Sequence, residues 1–286
     1  MASLPVWVRE RKLQLGRLHG VRAVASGSGL HTVCDEARCP NRAECFSRGT
    51  ATFLIMGDVC TRACRYCSIA HGRPRPLDAG EPARLARAAQ QLGLRHVVVT
   101  SVDRDDLPDG GAAHFAAVIR ALKALQPSPT VEVLTPDFRG DVAAVDVVVD
   151  AMPDVYNHNL ETVERLYPLV RRQGRYRWAL EVLARVAQRA PSLVTKSGLM
   201  VGLGEAREEV EAALHDLARV RCQVVTIGQY LRPTRREIEV VRYWQPSEFA
   251  ELERFGRTLG LDVIAGPFVR SSYHADEAFL NVRRET

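Results

Sequence analysis

Six of the seven cysteines of this 286-residue chain lie between residues 34 and 67, in two groups of three. The first group has the spacing C-x4-C-x5-C, and the second has the spacing C-x3-C-x2-C. Thiolates are soft ligands that select iron–sulfur clusters or zinc over hard cations. A cubane cluster has four irons, so three cysteines leave one iron open to another ligand, and chemistry can take place there. The two triplets are Cys34, Cys39 and Cys45, then Cys60, Cys64 and Cys67.

Disulfides and structural zinc are the alternatives to clusters. Disulfides persist in oxidising compartments, but residues 9–12 are all charged and interrupt any apolar segment, so we expect no secretory leader. Structural zinc takes four ligands, usually in pairs, and neither triplet offers a second pair. We therefore favour two separate clusters, each held by three thiolates.

The segments around the second triplet predict a parallel α/β fold. Residues 50–56 are apolar and β-branched, which predicts a buried strand, and the triplet follows just beyond it. Parallel α/β folds place their active sites in such loops, after the carboxyl ends of strands. Roughly six strand–helix units follow, fewer than the eight of a closed barrel. The remaining predicted strands are 96–102, 130–134, 155–157, 195–201, 223–227 and 262–265; the predicted helices are 82–92, 112–125, 141–150, 160–171, 178–188, 205–220 and 247–259.

The composition limits the classes of partner. A hydrophobic fraction of 46% is enough for a sizeable core, and no apolar run approaches the roughly 20 residues that a transmembrane helix needs. The formal charge of +5 is spread along the chain, whereas nucleic-acid binding favours a concentrated basic stripe. We expect a soluble, cytoplasmic, monomeric protein that binds neither nucleic acid nor membrane.

The second triplet, read as CTRACRYC, resembles the signature of the radical S-adenosylmethionine superfamily. A longer match resembles the lipoyl synthase family and covers residues 33–276, through the segments GTATFLIMGDVCTRACRYCSIAHGRP, TSVDRDDLPDGGAAHF, NHNLETV, TKSGLMVGLGE, GQYLRPTRR and GPFVRSSYHAD. The resemblance implies a partial (β/α)6 barrel of the TIM type at residues 50–260. It also implies an N-terminal arm with the auxiliary-cluster extension at 1–49, and a C-terminal extension with the RSSY motif at 261–286.

The same resemblance implies a sulfurtransferase of lipoate biosynthesis with two [4Fe-4S] clusters. The cluster on the second triplet would cleave S-adenosylmethionine to 5′-deoxyadenosyl radicals, two per product, which remove hydrogen from C6 and C8 of a protein-bound N6-octanoyl-lysine. The auxiliary cluster on the first triplet would be consumed as the sulfur source. Its fourth ligand would be Ser272 of the RSSY motif, with Ser271 as the alternative.

Three kinds of partner follow from the resemblance. The substrates would be octanoylated lipoyl carrier domains, on dehydrogenase-complex E2 subunits and on the glycine-cleavage H protein. The reductant would be a protein such as ferredoxin or flavodoxin. An iron–sulfur carrier would be the third partner.

Three loops are predicted to bind S-adenosylmethionine, and each has a structural alternative. The acidic loop after residue 102 occupies the slot of a glycine-rich segment that binds the methionyl amine, but it can also cap the next helix. In NHNLET, Asn157, Asn159 and Glu161 suit ribose hydroxyls, although Asn159 also suits a helix N-cap. GLMVGLGE resembles the superfamily's adenine element, or is a helix entry. The residues assigned to the cofactor are Asp109, Gly110, Gly111, Asn159, Glu161, Gly198, Gly202 and Glu205.

Two other functions compete with this prediction. A methylthiotransferase also inserts sulfur from an auxiliary cluster, but such enzymes usually carry an added RNA- or protein-binding domain, for which this chain has no room. An electron-transfer protein with two clusters would need fully ligated cubanes, whereas each triplet is one cysteine short. We therefore favour the sulfurtransferase.

Overall fold

The computed structural model describes residues 5, 24, 27–36, 41, 50–272, 275 and 279. Cys39 and Cys45 lie outside the described residues, and only the backbone of Cys34 is described. Most of the predicted arm and of the chain after Ser272 also lies outside them, so the predicted domain boundaries stay predictions.

Most of the described strands belong to one sheet of eight, ordered β1-β2-β5-β6-β7-β8-β9-β10 in the numbering given below. Neighbours from β2 to β10 are parallel, and β1 pairs antiparallel with β2. β3 and β4 form a separate pair. The strands are β1 His31–Thr32, β2 Thr50–Ile55, β3 Val59–Cys60, β4 Ala70–His71, β5 His96–Ser101, β6 Thr130–Leu134, β7 Val155–Asn157, β8 Val194–Val201, β9 Val224–Gln229 and β10 Asp262–Gly266.

Helices connect the successive parallel strands. α2, α3, α4, α6, α7 and α8 give six strand–helix units, as predicted, and β10 adds a further parallel strand within the predicted C-terminal extension. In the described part of the chain, no helix is long and apolar enough to cross a membrane. The helices are α1 Val33–Glu36, α2 Glu81–Gln91, α3 Ala112–Lys123, α4 Val142–Val149, α5 Tyr167–Val170, α6 Tyr176–Arg189, α7 Arg207–Arg219 and α8 Pro246–Thr258.

The hydrophobic pattern of the strands and helices explains why the helices cover the sheet. The central strands are buried along their length, as β5 shows with its Val97–Val99 run, because helices cover a parallel sheet. The helices instead bury one stripe: in α6, Tyr176, Ala179, Leu183 and Val186 recur at helical spacing and are all buried. The sheet therefore holds its carboxyl-end loops on a rigid base.

The predicted helix at 160–171 is wrong. Glu161 has φ 67, outside the right-handed helical region, and its backbone bonds to Gly198 and Met200 alongside β8. Helical structure is limited to a 3-10 turn at Glu164–Leu166 and to α5. Asn159 is therefore not a helix N-cap. The other predicted helices and strands agree with the observed ones to within about two residues at each end, which is the usual uncertainty of element boundaries.

Candidate active site

A cavity of about 610 Å³ opens beyond the carboxyl ends of β2, β5, β6 and β7. The three cysteines of the second triplet line it, on the loop that follows β2. Residues after β5 and β7 line it as well, including Asp103, Asn159 and Glu161. Parallel α/β folds bind ligands at this end of the strands, so the cavity is the candidate active site.

Burial dominates the chemistry of the three thiols. It raises the pKa values of Cys60, Cys64 and Cys67 to about 12, and the nearby carboxylate of Asp103 contributes in the same direction. Two backbone N–H groups, of Arg62 and Asp103, donate to the Cys60 Sγ at 3.4 and 3.3 Å. The thiolate forms therefore need a strong positive charge beside them, and iron supplies that charge when it binds.

The arrangement suits a cubane better than a single metal ion. Among the described residues, no three His, Cys, Asp or Glu side chains are grouped to hold one ion. In a [4Fe-4S] cluster each cysteine binds a different iron, so its ligands surround a larger body than one ion. Three thiols around one cavity fit that requirement.

Arg62, between the first two of these cysteines, ties three loops together. Its Nε and Nη2 donate to Asp105 at 2.7 and 2.8 Å, and its Nη1 and Nη2 donate to Asp137 at 2.9 and 2.7 Å. Burial alone would raise the pKa of Asp137, but the Arg62 guanidinium holds it at about 2. The cysteine loop is thus fixed to the loops after β5 and β6 by forked, charge-assisted hydrogen bonds.

Several cavity side chains carry a buried polar atom without a hydrogen-bond partner among the described residues. They are Ser101 Oγ, Asp103 Oδ1, His158 Nε2, Asn159 Oδ1 and Arg171 Nε. Leaving a buried polar group unpaired costs about 1–3 kcal/mol. A ligand with both donors and acceptors removes that cost, and the amino, carboxylate and ribose groups of S-adenosylmethionine provide both. The cavity therefore fits the cofactor expected from the sequence.

The C-terminal motif reaches the same site. Asn159 Nδ2 donates to Ser271 Oγ at 2.7 Å and to Glu161 Oε1 at 3.0 Å. Gly198 permits this approach, because a Cβ there would lie 2.7 Å from Asn159 Oδ1 and 2.8 Å from Ser271 Oγ. Ser272 is half-buried and makes no hydrogen bond to the described residues. The two serines of the motif thus differ in surroundings.

Asp109, Gly110 and Gly111 do not line the cavity, so their assignment to the cofactor gains no support from the structure and stays a prediction. The Asp109 carboxylate accepts the backbone N–H groups of Gly111 and Ala113 at the start of α3, as the helix-cap alternative predicted. Gly111 has φ 92, and a Cβ on it would lie 2.3 Å from Met56 Sδ. These residues support the loop that presents Asp103.

Gly198, Gly202 and Glu205 also lie outside the cavity lining, as does Asn157. The Glu205 carboxylate accepts the N–H groups of Gly202 at 2.6 Å and Leu203 at 2.9 Å, and the indole N–H of Trp244 at 2.8 Å. It holds the turn after β8. Asn157 donates to the buried Glu132, below the cavity floor.

Sequence reasoning missed four cavity residues, Arg62, Ser101, His158 and Arg171. The sequence did indicate that Arg62 lies near the site, because this residue stands inside the C-x3-C spacing. The place of His158 within NHNLET was a weaker indication that it lies at the site. Burial lowers the pKa of His158 to about 4, so its side chain is neutral near pH 7. Arg171 lies twelve residues beyond Asn159, whose backbone oxygen it contacts at 3.3 Å, and nothing in the pattern indicates that proximity.

Comparisons with known proteins agree with this geometry. The family model described as the radical SAM superfamily matches residues 54–217. The lipoyl synthase of Methylococcus capsulatus is 54% identical over 275 residues, which cover 96% of this chain and 85% of that protein. The lipoyl synthase of Pyrobaculum calidifontis is 54% identical over 290 residues, covering 99% of each.

Solved structures match in fold alone. Methylornithine synthase aligns with a TM-score of 0.55 and 12% identity, over 90% of this chain and 84% of that one. Coproporphyrinogen III oxidase from Escherichia coli, described as a radical SAM enzyme, aligns with a TM-score of 0.53 and 12% identity, over 74% and 53%. The partial barrel expected from the sequence is thereby confirmed.

Proposed function

The chain belongs to the lipoyl synthase family of the radical S-adenosylmethionine superfamily. We propose that it inserts sulfur at C6 and C8 of a carrier-bound octanoyl-lysine, and we propose which of its residues bind the groups that this reaction needs. A [4Fe-4S] cluster with S-adenosylmethionine supplies the 5′-deoxyadenosyl radical for hydrogen abstraction. Cys60, Cys64 and Cys67 hold that cluster. Arg62 keeps their loop in place through its bonds to Asp105 and Asp137.

Polar side chains that line the cavity are proposed to bind the cofactor, and several of them carry an atom without a protein partner. Asn159 and Glu161 are proposed to bind the ribose hydroxyls, since their side chains are joined to each other and line the cavity. Ser101 and the buried guanidinium of Arg171 are proposed to bind the polar methionyl groups. Arg171 offers a fork of donors that matches a carboxylate.

The auxiliary cluster is proposed to rest on Cys34, Cys39, Cys45 and Ser272. Ser271 is committed to Asn159, whereas Ser272 has no hydrogen bond among the described residues. A serine oxygen is a harder ligand than a thiolate and binds iron less tightly, so it suits a cluster that gives up sulfur.

The partners follow from the chemistry. The substrate is proposed to be the octanoyl-lysine of a lipoyl carrier domain, with a ferredoxin or flavodoxin as reductant and an iron–sulfur carrier for rebuilding. We propose the cytoplasm as its compartment, because cluster assembly on free thiols requires reducing conditions.

One observation carries the proposal: the bond between Asn159 and Ser271 joins the cofactor cavity to the C-terminal motif. A radical S-adenosylmethionine site by itself needs no such contact. With it, the serine beside Ser271 is held next to the place where the radical forms, and a sulfur source bound there lies close to the substrate carbon.

Separate alanine variants of the two serines test the assignment. Ser272→Ala should leave reductive cleavage of S-adenosylmethionine nearly intact and reduce sulfur insertion at least tenfold, because only the auxiliary cluster loses a ligand. Ser271→Ala should instead weaken S-adenosylmethionine binding, because Asn159 loses its partner. Both quantities are measured together, by chromatography of 5′-deoxyadenosine and mass spectrometry of an octanoylated carrier peptide. Parent rates of insertion in both variants would reduce the motif to a polar loop.

A further inference from the structure

A second cavity, a groove of about 810 Å³, lies between the segment after β6 and the start of α6. Four arginines line it: Arg139, Arg172, Arg175 and Arg177. All four are exposed, and within the described part of the chain none of them forms an ion pair. We call this surface the arginine groove.

The arginine groove carries an excess of positive charge. Glu164 and Glu181 also line it, but they are outnumbered by the four guanidinium groups. Its third carboxylate, Asp105, is already bonded to the buried Arg62. Arg175 stacks on Trp178 at 5.0 Å, which fixes one guanidinium on the groove wall. Exposed, unpaired guanidinium groups are the usual means of recognising carboxylates on another molecule.

The arginine groove lies directly behind the cysteine loop. Gln173, on its wall, accepts the backbone N–H of Ala63 at 2.9 Å. Asp105, on another wall, holds Arg62. Arg62 and Ala63 also line the active-site cavity, so the groove and the cavity lie on opposite sides of the segment between Cys60 and Cys64.

We propose that the arginine groove docks an acidic electron-transfer protein that reduces the cluster on Cys60, Cys64 and Cys67. This inference rests on the proposed function, in which two radicals are needed for each product. The donor gives up one electron and the oxidised cluster accepts it, and no covalent bond changes. The groove wall is hydrogen-bonded directly to the cysteine loop through Gln173 and Asp105, so a donor docked in the groove lies next to that loop.

The position of the groove favours the donor over the acylated carrier. The octanoyl chain must enter the cavity to meet the radical, so its carrier docks at the cavity mouth. The second electron is required while that substrate is still bound. A separate surface on the far side of the cysteine loop allows reduction without release of the carrier.

The test reverses charge in the groove and compares two reductants. Arg172→Glu with Arg177→Glu should slow reduction of the cluster by reduced flavodoxin on the order of tenfold or more at low salt, and weaken flavodoxin binding to match. Reduction by dithionite, a small ion, should be unchanged. Arg87→Glu with Arg254→Glu is the matched control, because both residues are exposed, unpaired and on other helices.

Stopped-flow bleaching of the cluster absorbance gives the rate, and biolayer interferometry gives the affinity for flavodoxin. Equal rates and affinities in the groove and control variants would overturn the proposal. Equal slowing with both reductants would also overturn it, because the change would then act on the cluster itself. A raised KM for the octanoylated carrier, with flavodoxin kinetics unchanged, would assign the groove to the carrier. The rate of cluster reduction and the affinity for flavodoxin do not require sulfur insertion, so failure of the proposed function is recognised separately, by absence of product with dithionite.

Discussion

At the scale of single residues, the site depends on a charged side chain that is no cofactor ligand. Arg62 is buried beside Asp103, Asp105 and Asp137, and it places four hydrogen bonds on two of these carboxylates. The guanidinium offsets a concentration of negative charge next to the thiols. A cluster ligated by three thiolates adds further negative charge, so this arginine becomes more important when the cluster is bound.

Arg62→Lys is therefore predicted to weaken retention of the cluster on the second triplet by roughly 10- to 100-fold, the range found for residues that orient metal ligands. A lysine keeps the charge but lacks the planar fork that holds two carboxylates at once. Release of iron to a chelator measures the effect. Arg84→Lys, at a partly exposed arginine paired with the exposed Asp78, is the control and should release iron at the rate of the unmodified protein. Unchanged iron release in Arg62→Lys would contradict the positioning role.

At the scale of elements, the parallel strands carry a buried ion pair below the cavity. Lys196 Nζ, on β8, lies 3.0 Å from Glu132 Oε1, on β6. His96, on β5, approaches the same carboxylate at 3.4 Å. Burial alone would raise the pKa of Glu132, but Lys196 and His96 lower it to about 2. The pair joins the strands from which the active-site loops emerge.

Glu132→Gln is predicted to destabilise the fold at neutral pH by about 3–5 kcal/mol, because it leaves the buried Lys196 without a counter-charge. The folded pKa of Glu132 lies below the value of about 4.3 for an unfolded glutamate. Its stabilisation is therefore complete above that pH and is lost as the pH falls towards 2. Thermal unfolding between pH 2 and 7 measures this loss. Adding Lys196→Met should recover most of the stability, and no recovery would refute the pairing.

Loop glycines provide a second prediction at this scale. Gly111→Ala should destabilise the fold by about 1–3 kcal/mol, because the new methyl group overlaps Met56 and the backbone has φ 92. Gly260→Ala is the matched control: it has φ 76 but no atom within 4 Å of the added Cβ. Urea unfolding compares the two. If Gly111→Ala weakens S-adenosylmethionine binding without loss of stability, Gly111 contacts the cofactor after all.

The periodicity of apolar residues was sufficient to predict most helices and strands, but it failed for the segment after β7. Apolar residues at 160, 163, 166, 167 and 170 have helical spacing, yet the chain follows β8 with Glu161 at φ 67. The polar contacts of Asn159 and Glu161 with the C-terminal motif and β8 outweigh the local preference. The bond between Asn159 and Ser271 spans 112 positions, and the contacts of Glu161 with β8 also join residues far apart in the chain, so a local pattern does not contain them. The cysteines were predictable because their chemistry fixes their spacing.

At the scale of the whole molecule, three features of the described chain surround the cysteine loop: the cavity, the arginine groove and the C-terminal motif. The cavity receives the cofactor on one side of residues 62 and 63, and the arginine groove lies on the other. The C-terminal motif reaches the cavity from the β10 edge through Ser271. In the proposed mechanism, the cofactor, the electron and the sulfur source approach the substrate from different directions, which suits repeated radical formation on one bound carrier.

The central claim is that this chain transfers sulfur from its own auxiliary cluster to an octanoyl-lysine. The most direct measurement reconstitutes the protein with heavy-isotope sulfide and incubates it with S-adenosylmethionine, dithionite, an octanoylated carrier peptide and unlabelled sulfide. Mass spectrometry should show two heavy sulfur atoms in the product, and Cys60→Ala with Cys64→Ala and Cys67→Ala should give none. A product with unlabelled sulfur, or an unchanged peptide beside abundant 5′-deoxyadenosine, would contradict the account.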